Sequence, residues 1–203
     1  PYQTAALSGE YRFKIDDSSD YVTTGLQLLY DVAGSTQLST TAVLPAINFH
    51  KSLSTQQSMY LSVGFMGGFV QTQFNPTDLT FDSQYQGNGY NPYIPSGEIF
   101  SDYRRVYWDA ATGISFNSQA GENINYFLGA SCYHFNKPKE SFLGDKTIYL
   151  QPKWEFNGGI SITVNDYVKI DAEANWLKQG IYQEEMGGAI IMYDFSAGNE
   201  DET

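Results

Sequence analysis

Apolar and polar residues alternate with a period of two through most of the chain, in stretches of about ten residues. That is the length a tilted strand needs to cross a bilayer. In the first stretch Leu7, Gly9, Tyr11, Phe13 and Ile15 share one face, while Ala6, Ser8, Glu10, Arg12 and Lys14 share the other. Further on, Trp154, Phe156, Gly158, Ile160, Ile162 and Val164 stand opposite Glu155, Asn157, Gly159, Ser161 and Thr163. Val168, Ile170, Ala172, Ala174 and Trp176 then stand opposite Lys169, Asp171, Glu173 and Asn175, which predicts a hairpin around Asn165–Asp166. Nine strands are predicted, near 4–15, 20–33, 39–52, 57–74, 104–118, 123–136, 149–164, 167–178 and 183–195.

Two middle stretches add a detail. Leu61, Val63, Phe65, Gly67 and Phe69 oppose Ser62, Gly64, Met66 and Gly68, and Trp108, Ala110, Ile114 and Phe116 oppose Asp109, Ala111, Gly113, Ser115 and Asn117. Glycine weakens a strand, so its repetition on one face points to tight curvature or crowding inside a barrel. Connections are short at 16–19, 54–56, 119–122 and 165–166 and long at 75–103 and 137–148. Short turns on one side and long loops on the other is the outer-membrane barrel pattern, with the long loops outside. Tyr11, Tyr21, Tyr60, Tyr107, Trp108, Trp154, Tyr167 and Trp176 lie near strand ends, where interfacial girdles would place them.

The fold expected is therefore all-β, an antiparallel up-and-down transmembrane β-barrel with about nine strands present. The competing architecture is a soluble two-sheet β-sandwich whose aromatics fill a core. No run approaches the roughly 18 consecutive apolar residues of a membrane helix, so a membrane protein of this sequence must be a barrel. Mean hydropathy of −0.37 agrees with alternate residues facing a polar lumen. Aromatics make up 16% of the 203 residues and charged residues only 17%, below the roughly 25% of an ordinary globular chain.

A net charge of −12 excludes a basic footprint for nucleic acid and suits acidic surface loops. Cys132 is the only cysteine, so there is no intrachain disulfide and no cysteine-based zinc site. The chain begins Pro-Tyr without a leader and ends in the acidic stretch 196–203, so residues 1–203 are expected to be one barrel domain truncated at both ends. Nine strands alone would leave two unpaired edges and an open, gutter-shaped sheet.

Residues 79–98, LTFDSQYQGNGYNPYIPSGE, residues 133–145, YHFNKPKESFLGD, and the stretch LQPKWEFNGGI at 150–160 resemble loop signatures of the PorP/SprF family of type IX secretion and gliding-motility proteins. HKSLSTQQSMYLSVGFMGGF at 50–69 is similar to the strand pair before that loop, and the similarity runs through the whole chain in order. The resemblance implies an outer-membrane barrel of a Gram-negative bacterium, without catalysis or cofactor. Its implied partners are bilayer lipid, type IX secretion components and secreted adhesins. The partner-facing candidates are Phe81, Tyr85, Tyr90, Tyr93, Arg104, Arg105 and Phe142, in or beside the two long loops that are expected on one side.

Other chemistries are weaker. Asp78, Asp82, Glu98 and Asp102 offer oxygen ligands, but their spacing is not that of a calcium loop. Asp171 with Glu173, or Glu184 with Glu185, could be imagined as a glycosidase pair, yet lumen-facing charge explains them more simply. His50 and His134 carry no recognisable triad or zinc motif. Cys132 shares an apolar face with Leu128 and Ala130, as a lipid-facing small hydrophobe would. Arg104 and Arg105 could contact lipid headgroups or anionic glycans. Besides the secretion role, a diffusion channel or hydrophobic-solute transporter and a soluble carbohydrate-binding sandwich stay open.

Overall fold

A computed structural model describes residues 2–15, 17–34, 36–54, 56, 58–76, 79–87, 89–98, 102–142 and 147–195. Nine strands form one antiparallel meander: β1 (Gln3–Lys14), β2 (Tyr21–Ala33), β3 (Leu38–Ser54), β4 (Met59–Gln73), β7 (Arg104–Ala120), β8 (Ile124–Tyr133), β9 (Lys153–Asn165), β10 (Val168–Gln179) and β11 (Tyr182–Tyr193). A two-stranded hairpin, β5 (Tyr85–Gln86) and β6 (Gly89–Tyr90), lies inside the longest connection. Each long strand pairs with its sequence neighbours, which is the up-and-down order expected of the alternation.

The alternation sets the two faces. Phe65, Phe69, Trp108, Ile114 and Leu128 are 49–62% exposed on one face. On the other, Ser62 is 1% exposed and a cavity of about 470 Å³ touches residues from β1 to β9, including Glu10, Thr23, Asn48, Ser62, Gly113, Ser131 and Asn157. The polar face is therefore concave. Among the described residues the buried apolar ones are small, Ala42, Val70, Ala111 and Cys132, so the described sheet packs no second layer over a core of large side chains. A sandwich is ruled out on this point: Ile160 is 40% exposed, whereas Glu155 accepts a hydrogen bond from Asn175 Nδ2 at 3.1 Å on the concave face. Large exposed apolar area on this scale belongs against hydrocarbon.

The sheet is open, with β1 and β11 at its edges and every residue of both exposed. Because eight turns or loops separate them, β1 and β11 run in the same direction. They cannot join each other in an antiparallel ladder, and antiparallel closure would take an odd number of further strands.

The glycines of the concave face make room for neighbours. A side chain at Gly64 would meet Asn48, one at Gly129 would meet Asn157, and one at Gly159 would meet Phe127. The crowding read from the sequence is thus of cross-strand side chains lying flat over glycine. Several expectations shift. Tyr21 and Tyr60 point inward, with Tyr21 stacked on His50 at 4.1 Å, and Tyr107 shares the inward face of Asp109 and Arg105. These three tyrosines are not girdle residues. Cys132 is on the outward face but only 8% exposed, flanked in register by Thr112 and Trp154. The β9–β10 hairpin turns at Asp166–Tyr167, with Asn165 Oδ1 accepting from Tyr167 N and Val168 N at 3.0 and 2.9 Å.

Candidate functional site

The meander places connections 15–20, 55–58, 121–123 and 166–167 on one side and 34–37, 74–103, 134–152 and 180–181 on the other. Both long loops share a side, as expected, and they touch. The Phe74 and Phe142 rings pack edge to face at 5.0 Å, and Asp102 N donates to Phe142 O at 3.4 Å. Asn75 N donates to Thr36 O at 3.2 Å, and Gln179 Nε2 donates to Gln151 O at 2.8 Å. These contacts link parts of three of the four connections on that side and tie the end of β10 to them.

Loop 74–103 is organised by Gln84, which is 8% exposed. Its Oε1 accepts from Phe81 N at 3.0 Å and its Nε2 donates to Ile94 O at 3.1 Å. Asn91 N donates to Gln84 O at 2.9 Å, drawing the two arms of the loop together. The β5–β6 hairpin then presents Tyr85 and Tyr90 side by side, ring centroids 5.5 Å apart. Tyr85 is 56% and Tyr93 92% exposed, beyond the strand ends and so outside the lipid-facing wall.

The seven candidate residues do not form one patch. Tyr85, Tyr90 and Tyr93 are exposed, Phe81 is half-buried, and Phe142 is engaged with Phe74. Arg104 lies on the outward face, whereas Arg105 falls on the inward face beside Thr72. The pair splits between the outward and the concave face because adjacent strand residues face opposite ways.

Loop 134–152 is tied to the inner wall. His134 Nδ1 is 2.8 Å from each oxygen of Asp109, and Asn136 bridges β7 by accepting from Ala110 N at 3.1 Å and donating to Trp108 O at 2.7 Å. The loop pairs with itself through a Lys139–Tyr149 bridge. Burial pushes the Glu140 carboxyl above its ordinary range; nearby His134 opposes the shift and Asp109 adds to it.

Each histidine has a partner that the sequence did not place beside it. His50 Nδ1 sits 2.8 Å from Ser62 Oγ and its Nε2 3.1 Å from Thr23 Oγ1. Ser62 is too buried to meet a substrate, and Thr23 occupies the place of a carboxylate orienter, so the contact is a wall bond and not a hydrolytic pair. Glu184 and Glu185 face opposite sides of β11, while Asp171 lies 3.6 Å from Lys169 Nζ. Asp78 of the oxygen-ligand set lies outside the described residues, and among the described residues no three His, Cys, Asp or Glu side chains converge as metal ligands.

One curved antiparallel sheet, with an apolar wall, a polar concave face and long loops gathered at one end, defines a transmembrane β-barrel protein. Residues 1–198 match the family model described as type IX secretion system membrane protein PorP/SprF. The chain belongs to that family and is a membrane protein of the type IX secretion system. No curated protein and no solved structure matches it.

Proposed function

We propose that the protein acts in the outer membrane as a non-enzymatic barrel that assists secretion or surface attachment of adhesin-like proteins. It does so through contacts of loops 74–103 and 134–152 with those proteins and with other secretion components. The observation that supports this reading is the fastening of both long loops to one another at Phe74 and Phe142 while Tyr85, Tyr90 and Tyr93 remain exposed. Exposed aromatic side chains on a fixed loop are what protein contacts favour. Bilayer lipid meets the apolar wall.

Replacing residues 79–98 by an Asn-Gly turn tests the assignment. The variant is expected to insert and fold, judged by heat-modifiable migration, and to lose surface display of the adhesin. Full display from a folded variant refutes the loop role.

A conducting channel is the second reading, supported by the concave face. Asn48 Oδ1, Ser52 Oγ, Asp171 Oδ1 and Asn175 Oδ1 are buried without hydrogen-bond partners in the protein, and lumen water would satisfy them. Steady conductance of the purified protein in a planar bilayer would favour it.

A further inference from the structure

We propose that the outward wall holds one acyl chain of a bilayer lipid in a groove over Gly67 and Ala110, flanked by Ile47, Phe65, Trp108 and Phe135. The inference rests on the membrane-spanning fold and not on the role of the loops.

The groove begins with a break in the sheet. The β3–β4 ladder pairs Val43 with Phe69 and Ala46 with Met66, but Leu44 and Pro45 between them pair with nothing on β4. Pro45 has no N–H to give to a ladder, and opposite it stand Gly67 and Gly68. Any side chain at Gly68 would collide with Val43 O, and one at Gly67 would meet Trp108 Cζ2 at 2.9 Å. Two positions on the outward face therefore carry little or no side chain, Gly67 and its partner Ala110, beside Phe65 and Phe69 of β4 and Trp108 of β7, whose ring edge reaches over Gly67. The wall recedes there into a cavity of about 470 Å³, a size that holds a small hydrophobic ligand.

Its lining is apolar except at the loop-side rim, where Asn136 already uses its Nδ2 on Trp108 O and its Oδ1 on Ala110 N. No side chain in the groove asks for a polar partner. Being continuous with a wall that faces hydrocarbon, the groove takes hydrocarbon, and the Asn136 end sets the headgroup toward the loop side of the membrane.

The test is native mass spectrometry of the full chain, extracted from membranes in mild detergent. One adduct with the mass of a membrane lipid is expected per wild-type chain. It should persist in Val164→Phe, an outward change elsewhere on the wall, and fall about tenfold or more in Ala110→Phe, which fills the groove. Trp108→Ala removes one flank and should also lower retention, so a misfolded Ala110→Phe would not leave the idea untested. An absent adduct, equal retention in all folded variants, or release of a lipid-modified polypeptide in place of a free lipid would overturn it.

Discussion

His134 Nδ1 lies 2.8 Å from both carboxylate oxygens of Asp109, which fastens the start of loop 134–152 to the inner wall of β7. His134 holds φ of +56°, a left-handed backbone that Asn also tolerates. His134→Asn should therefore remove the pair without straining the chain. The expected loss is about 1–3 kcal/mol of loop docking, seen as faster proteolysis within 137–150 while the barrel keeps its heat-modifiable migration.

Loop docking should also depend on pH. Burial raises the folded-state pKa of Glu140, so the docked loop binds that proton more tightly than the free loop. Its contribution is full below the ordinary carboxylate pKa and is lost as pH rises through the folded value. Hydrogen exchange of 137–150, corrected for intrinsic rates, should show protection falling across that window, and Glu140→Gln should flatten the change. At the opposite end of the barrel the sign reverses. Asp20 is held low by its hydrogen bond with Lys51 Nζ at 2.7 Å and by Ser52 N at 2.9 Å. That clamp is present above the ordinary carboxylate range and is lost as pH falls through the folded value.

Gln84 joins the arms of loop 74–103 with two side-chain hydrogen bonds, to Phe81 N and Ile94 O. Gln84→Ala deletes both and should loosen the loop by about 1–3 kcal/mol. Nicking between 79 and 98 should speed up while the unfolding temperature of the barrel stays put. If the loop carries partner contacts, adhesin display falls with it.

Much of the fold was legible because a period of two runs through the long strands: Ile114 was read outward and is 49% exposed, and the nine predicted strands are the nine of the main sheet, while the short β5–β6 pair fell in a stretch read as loop. The worst boundaries are those of 123–136 and 149–164. β8 stops at Tyr133 because His134 and Lys137 both take positive φ, and Tyr149, read as the start of a strand, instead bridges to Lys139 within the loop. Tyr107 was readable as inward, since it has the same parity as Asp109. The His50–Ser62–Thr23 bonds were not, because they cross three strands and depend on register, which no single strand encodes. The break at Pro45 was equally hidden, since its consequence lies on the neighbouring strand.

Glycines with the same pattern in sequence should differ sharply under one substitution. Gly68 and Gly188 both occupy the inward face, but a Cβ at Gly68 would run into the Val43 carbonyl, a backbone atom that cannot rotate away, whereas one at Gly188 meets nothing within 4 Å. Gly68→Ala must push β3 from β4 at the point where Pro45 already leaves the ladder weak. The expected cost is about 1–3 kcal/mol or more, read as a lower unfolding temperature in detergent and a smaller heat-modifiable fraction. Gly188→Ala should match or slightly exceed wild type, because alanine restricts the unfolded chain and has open space in the folded one. Equal behaviour of the two variants would mean that β3 and β4 do not approach as closely at Val43 as the structure has them.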